Sequence, residues 1–146
     1  HRDLHSFPTR RSSDLALLGL EPPDAAAEAP ADAIGLASAS ARSLLGLGVG
    51  EVFISLGARG ILWADSAGMG VARPLDLPVV NVSGAGDAAT AALAWSAALG
   101  YDAGFKAACA VAAASLCASG TDAVSAAMST KSLMGLVRGV VNERVS

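Results

Sequence analysis

An α/β layered fold is predicted by three features of this 146-residue sequence. Short apolar runs alternate with Ala-rich helical stretches, Gly clusters punctuate the boundaries, and three helical segments follow one another after the last apolar run. The order of helix, strands, then three helices suggests an α/β layer whose sheet is incomplete within this chain. Composition agrees: 53% of residues are hydrophobic and 16% charged, too apolar for a disordered chain. The net charge of −3 lacks the basic excess of a nucleic-acid binder. Two cysteines are too few for a disulfide scaffold and point to a reduced, cytoplasmic protein. Gly, Asp, Asn, Lys or Arg interrupts every apolar stretch before the roughly 18 residues needed to span a bilayer. Neither nucleic acid nor a membrane is therefore expected as a partner.

Residues 1–15 (HRDLHSFPTRRSSDL) hold three of the ten basic residues, both histidines and no alanine, and the composition switches at Ala16. The string resembles a translated sequencing adapter and is read as a non-native or disordered segment outside the fold. The remainder carries seven Lys or Arg, eleven Asp or Glu and no histidine. That removes histidine general bases, Ser-His-Asp triads and His-based zinc sites. Chemistry must rest on carboxylates, hydroxyls, thiols, backbone amides or a cation held by oxygen.

Residues 16–20 read as the end of a helix and 21–31, rich in Pro and Ala, as a surface connector. Asp32 can cap a helix over 33–47, with Ile34, Leu36, Ala37, Ala41, Leu44 and Leu45 roughly on one face. Gly46, Gly48 and Gly50 end it. This glycine cluster looks superficially like a dinucleotide loop, but it precedes a strand instead of following one. Residues 51–56 form a nearly continuous apolar run, as in a strand buried on both faces. A turn at 57–60, a strand at 61–64, a hairpin turn at 65–68 and a short strand at 70–73 follow, with a further strand expected at 79–81. Next come an Ala-rich helix over 88–99, opening at about Ala85 and stopped by Gly100, and a helix over 103–117, capped by Asp102 and stopped near Gly120. A last helix covers 129–141. Cys109 and Cys117, two helical turns apart, read as small apolar fillers. Trp63 and Trp95 read as core or sheet-cover residues, and Asp65, Asp76 and Asp102 as turn or cap residues.

The segment Asn81-Val82-Ser83-Gly84-Ala85-Gly86-Asp87 carries the chemistry. A helix opens within it, and the first turn of a helix has unpaired N–H groups and partial positive charge. Glycines let those amides approach an anion. Asp87 would repel a static phosphate in the same turn. It makes sense if it takes a proton from a hydroxyl attacking the phosphorus while the amides stabilise the transferring group. The plainer alternative is that Asp87 only favours the helix N-terminus and the glycines only permit packing.

The surrounding order weighs against that alternative. Residues 52–124 resemble the C-terminal half of the PfkB, or ribokinase-like, family of sugar and nucleoside kinases. The match comprises Ile54-Ser55-Leu56-Gly57-Ala58-Arg59-Gly60-Ile61-Leu62, then Val80 to Asp87 with Gly-Ala-Gly-Asp, then the Ala-rich helix running into Ala118-Ser119-Gly120. The resemblance implies that residues 16–146 are the nucleotide-binding half of a three-layer, Rossmann-like sandwich, truncated here. It implies an ATP-dependent phosphotransferase acting on a sugar or nucleoside alcohol, with Asp87 as catalytic base and Gly84, Ala85 and Gly86 as anion hole. Ser55, Gly57, Arg59, Gly60 and Gly120 would border the nucleotide, although Arg59 reads more readily as a solvated turn residue. Asp122 is either a turn residue or a group near the adenine or a cation.

Asn81-Val82 stands where many sugar kinases carry Asp-Thr. With the Ser-Leu-Gly strand and Ser115-Leu116-Cys117, it resembles the pseudouridine kinases, which phosphorylate the 5′-hydroxyl of pseudouridine. Asn81 and Ser83 would offer only neutral oxygens to a monovalent cation. The family's Gly-Gly motif, sugar-gripping acid, lid and Asn-x-x-Glu motif, which organises Mg²⁺, are not found. The resemblance therefore implies a fragment inactive by itself, from a protein that could form a homodimer when complete. Alternatives are a ribokinase- or fructokinase-like enzyme and a non-catalytic nucleotide-binding fragment.

Overall fold

A computed structural model describes residues 32–122, 125 and 127–146. The readings of residues 1–15, 16–20 and 21–31 lie outside these. Helix α1 (Ala33–Gly46) opens on Asp32, whose carboxylate accepts from the Gly35 amide at 3.2 Å. Strand β1 (Glu51–Ser55) leads through a 3₁₀ turn (Gly57–Arg59) to β2 (Ile61–Asp65) and β3 (Gly68–Ala72). Asp65 Oδ1 accepts from the amides of Ala67 and Gly68 at 2.8 and 3.0 Å and so shapes the β2–β3 hairpin. Helices α2 (Ala85–Ala98), α3 (Ala103–Ala118) and α4 (Thr130–Val137) follow, and the short strand β4 (Asn142–Arg144) comes last.

The strands form one antiparallel sheet in the order β1-β2-β3-β4, with Phe53 opposite Trp63 and Trp63 opposite Gly70. Side-chain alternation sorts the core into two faces. Val52, Ile54, Leu62, Ala64, Met69 and Val71 pack against Ala37, Ala41 and Leu44 of α1. Ile61, Trp63 and Ala72 pack on the other face against Ala103, Ala107, Ala110 and Val111 of α3. A third cluster joins α2, α3 and α4 through Ala92, Ala108, Cys109, Ala112, Leu133 and Val137. Burial pushes the Cys109 thiol above its usual range, so it stays protonated near neutral pH, as befits an apolar filler.

Three expectations are corrected. The strands buried on both faces are β2 and β3, not β1; β1 alternates, with Val52 and Ile54 buried and Glu51 and Ser55 exposed, as an outer strand does. No strand forms at 79–81. The amides of Val80 and Asn81 both donate to the Ala118 carbonyl, at 2.8 and 3.0 Å, so this β-branched run is tied to the end of a helix instead of a ladder. The last helix stops at Val137, where Gly139 turns its amide back to the Leu136 carbonyl at 2.9 Å, and β4 takes the residues beyond.

β4 has the exposed sequence Asn-Glu-Arg and little intrinsic strand preference. Tertiary contacts hold it. Arg73 on the β3 side donates to Glu143 at 2.6 and 2.8 Å. The Arg144 guanidinium lies 5.3 Å from the Trp63 ring centroid. Trp63 Nε1 donates to Asn142 Oδ1 at 3.1 Å, and Asn142 Nδ2 donates to the Gly104 carbonyl at 3.2 Å, linking β2, β4 and α3. The indole fits because position 70 is glycine; a Cβ there would stand 2.8 Å from the ring. Lys106 of α3 is buried along its stem, and its ammonium reaches Glu51 at 2.7 and 2.8 Å.

Candidate active site

The four described helices do not begin alike. Asp32, Asp102 and Ser129 cap α1, α3 and α4 with side-chain oxygens, Asp102 accepting from Phe105 N at 2.9 Å and Ser129 from Ser132 N at 3.1 Å. Helix α2 opens on Gly84, at φ +80°, with no side-chain cap. That left-handed conformation is cheap only for glycine. The Ala85 amide turns back to the Val82 carbonyl at 3.2 Å, and the first helical bond runs from Ala88 N to Gly84 O at 2.9 Å. Among the described residues no acceptor stands opposite the Gly84 and Gly86 amides. An uncapped helix start satisfies its donors with water or a ligand, and the macrodipole favours an anion there. Of the three expected anion-hole amides, Ala85 is thus engaged within the turn, and Gly84 and Gly86 remain to donate.

The loop is fastened to the end of α3. Besides the two amides held by Ala118 O, Asn81 Nδ2 donates to the Thr121 carbonyl at 3.0 Å, and Asn81 Oδ1 accepts from Ser83 N at 2.9 Å. The Cys117 thiol lies 3.6 Å from the Ser83 carbonyl oxygen. The side-chain oxygen of Asn81 and the main-chain oxygen of Ser83, candidate cation ligands, thus already accept hydrogen bonds.

Asp87 projects from the first turn of α2, exposed, at the wall of a 510 Å³ cavity. No ion pair to Asp87 forms among the described residues. Gly84, Ala88, Ala92 and Trp95 line the cavity from α2, Ala113 and Cys117 from α3, and Ser125, Met128, Ser129 and Leu133 from the far side. Asp87 is the single carboxylate among these lining residues. Among the described residues no group of three or more His, Cys, Asp or Glu side chains gathers to hold a metal. The donor set of one carboxylate and outward amides suits a phosphate and a hydroxyl that must lose a proton more than it suits a resident metal ion.

Gly84 and Asp87 are the two expected site residues on the cavity wall. Ser55 at the end of β1 and Gly57, Arg59 and Gly60 in the β1–β2 turn lie outside it; in the turn Gly60 N donates to Gly57 O at 3.1 Å and Leu56 N to Gly60 O at 2.8 Å. Gly120 ends α3 with its amide on the Cys117 carbonyl at 3.1 Å, and Asp122 is exposed; neither lines the cavity. The wall residues Trp95, Cys117, Met128 and Leu133 were not expected at the site. A signal for Trp95 was in the sequence: Asp87, Ala91 and Trp95 recur at four-residue spacing along one helix face.

A model of the pfkB family of carbohydrate kinases matches residues 20–129. The chain is 44% identical over 48 residues to the 1-phosphofructokinase of Escherichia coli K12, a match covering 33% of this chain and 15% of that protein. Its fold is similar to that of a Clostridium perfringens protein described as a putative sugar kinase, at TM-score 0.76 and 22% identity over 93% of this chain and 41% of the other. It is also similar to phosphofructokinase-2 from Escherichia coli in complex with potassium, at TM-score 0.71 and 21% identity over 88% of this chain and 38% of that one. The chain thus spans well under half the length of these proteins. The neighbours share a ribokinase-like α/β fold, of which the antiparallel sheet and helices described above are a part. With most of its length matched to the family model, this chain belongs to the pfkB family of carbohydrate kinases.

Proposed function

We propose that this chain carries the nucleotide-binding and phosphoryl-transfer part of an ATP-dependent kinase whose acceptor is an alcohol group of a sugar or nucleoside. One observation carries the reading: the only described α-helix without a side-chain cap opens on Gly84 and presents Asp87 at the wall of the cavity. In the reaction the phosphate chain of ATP lies against the Gly84 and Gly86 amides. As the acceptor oxygen attacks the γ-phosphorus, its proton passes to the Asp87 carboxylate, the bond from the γ-phosphorus to the bridging oxygen breaks, and ADP leaves. Asp87 then returns the proton to solvent. The amides stabilise charge on the transferring group. Mg²⁺ would enter with the nucleotide's phosphates and neutralise part of their charge.

Pseudouridine, through its 5′-hydroxyl, is the acceptor we favour, on the Asn81-Val82 pattern and the Ser115-Leu116-Cys117 helix end. A phosphofructokinase-type acceptor is the second reading, favoured by the 44% identity to a 1-phosphofructokinase. The β1–β2 turn, with Ser55, Gly57, Arg59 and Gly60, is assigned to the nucleotide's border, and Gly120 with it. Calorimetric titration with ATP, ADP and NAD tests the nucleotide assignment; saturable binding of ATP and ADP is expected, and preference for NAD would overturn it. ATP consumption by the complete protein with nucleosides, pentoses, hexoses and hexose phosphates then separates the two acceptors.

A further inference from the structure

We propose that Asn81 is the positioning residue of the α2 opening, a neutral clamp that holds the Gly84 and Gly86 amides in place without a metal cation; the proposal rests on the kinase reading of that loop. The Asn81 carboxamide faces one carbonyl and one amide: Nδ2 donates to Thr121 O at 3.0 Å, and Oδ1 accepts from Ser83 N at 2.9 Å. This pairing fixes the orientation of the side chain, because the reverse would set two donors and two acceptors against each other. It also joins positions 40 residues apart, so it ties the loop to the end of α3. The main-chain amides of Val80 and Asn81 bind the same helix end, through Ala118 O. Ser83, whose amide the clamp holds, immediately precedes Gly84. The direction of the Gly84 amide is therefore set through Asn81.

A carboxylate cannot replace this group. Aspartate would keep the bond from Ser83 N but would present an acceptor to the Thr121 carbonyl. Two oxygens at that separation repel unless a cation lies between them. Asparagine supplies the missing positive end from its own N–H. The loop of this chain is consequently organised in the absence of a bound monovalent cation, and Asn81→Asp exchanges a built-in donor for a requirement for one.

The test uses the full chain, its Asn81→Asp and Asn81→Leu variants, and ADP as probe. Calorimetry is run in potassium chloride and in tetramethylammonium chloride of equal ionic strength, with thermal melts confirming that each variant folds. Wild-type affinity is expected to be the same in both salts. Asn81→Leu should bind roughly tenfold more weakly in both, the scale of a lost hydrogen bond. Asn81→Asp should be weakened similarly in tetramethylammonium and recover most of the loss in potassium, a cation-specific rescue that a merely structural role would not produce. Wild-type binding that needs potassium, an Asn81→Leu variant as tight as wild type, or an Asn81→Asp variant indifferent to the salt would each overturn the clamp. Amide exchange of Ser83, followed by NMR, reads the clamp separately from nucleotide binding. Should the chain bind no ADP, the kinase reading fails, and the clamp stands or falls on whether Ser83 loses protection in Asn81→Leu and keeps it in Asn81→Asp.

Discussion

In the β1–β2 turn the amides of Leu56, Arg59 and Gly60 donate to the carbonyls of Gly60, Leu56 and Gly57. At the opening of α2, the Ser83 and Ala85 amides are likewise held, but those of Gly84 and Gly86 meet no acceptor among the described residues. Both segments are glycine-rich turns beside a positive-φ glycine, Gly60 at +102° and Gly84 at +80°. At Gly60 the glycine solves a packing problem, since a Cβ would run into the Ala72 carbonyl oxygen. At Gly86 a Cβ would meet open space, so packing there does not require glycine. The two glycine-rich turns therefore differ in whether their donors are spent within the protein's own hydrogen bonding.

Substitutions can set these two turns against each other. The largest effect is expected at Asp87. In the complete protein, Asp87→Asn should slow phosphoryl transfer by roughly 10²–10⁴-fold, the usual contribution of a general base, and leave ATP affinity intact; steady-state kinetics with a parallel binding titration reads both. Undiminished turnover would show that another group takes the proton. Next in size, Gly60→Ala should destabilise the fold by at least about 1–3 kcal/mol, through a strained backbone and the contact with Ala72, measured by denaturant unfolding.

Asp102→Ala removes an ordinary cap and should lower stability by about 1 kcal/mol without changing nucleotide affinity, because α3 begins away from the cavity wall. The smallest stability change is expected for Gly86→Ala, a gain of up to about 1 kcal/mol from helix propensity. The same variant should weaken ADP binding by placing a methyl beside the outward amide. A variant that is more stable and binds ADP as tightly as wild type would detach Gly86 from the anion site.

Much of this architecture could be read before any coordinates. Asp32 and Asp102 were legible as caps because an acidic side chain before an apolar-periodic run has one economical use. The Gly-Ala-Gly-Asp segment was legible because glycine and a carboxylate at a helix start are chemically conspicuous. β4 was not legible: Asn142-Glu143-Arg144 becomes a strand through Arg73, Trp63 and the free edge of β3, all distant in sequence. The run at 79–81 misled in the opposite direction, since β-branched residues mark a backbone fit to be extended, and a strand also needs a neighbour to pair with. Trp95, read as a core or sheet-cover residue, and Cys117, read as filler, line the cavity because α2 and α3 pack side by side.

Local chemistry thus settled where helices begin, where turns fall and which carboxylate stands in the first turn of α2, because each depends on residues within a few positions of one another. What Asn81 holds was settled by a contact across 40 residues, and where the cavity opens by the packing of α2, α3 and α4. Hydrogen-bond partners of that separation are chosen by packing, and no local pattern of residues encodes them.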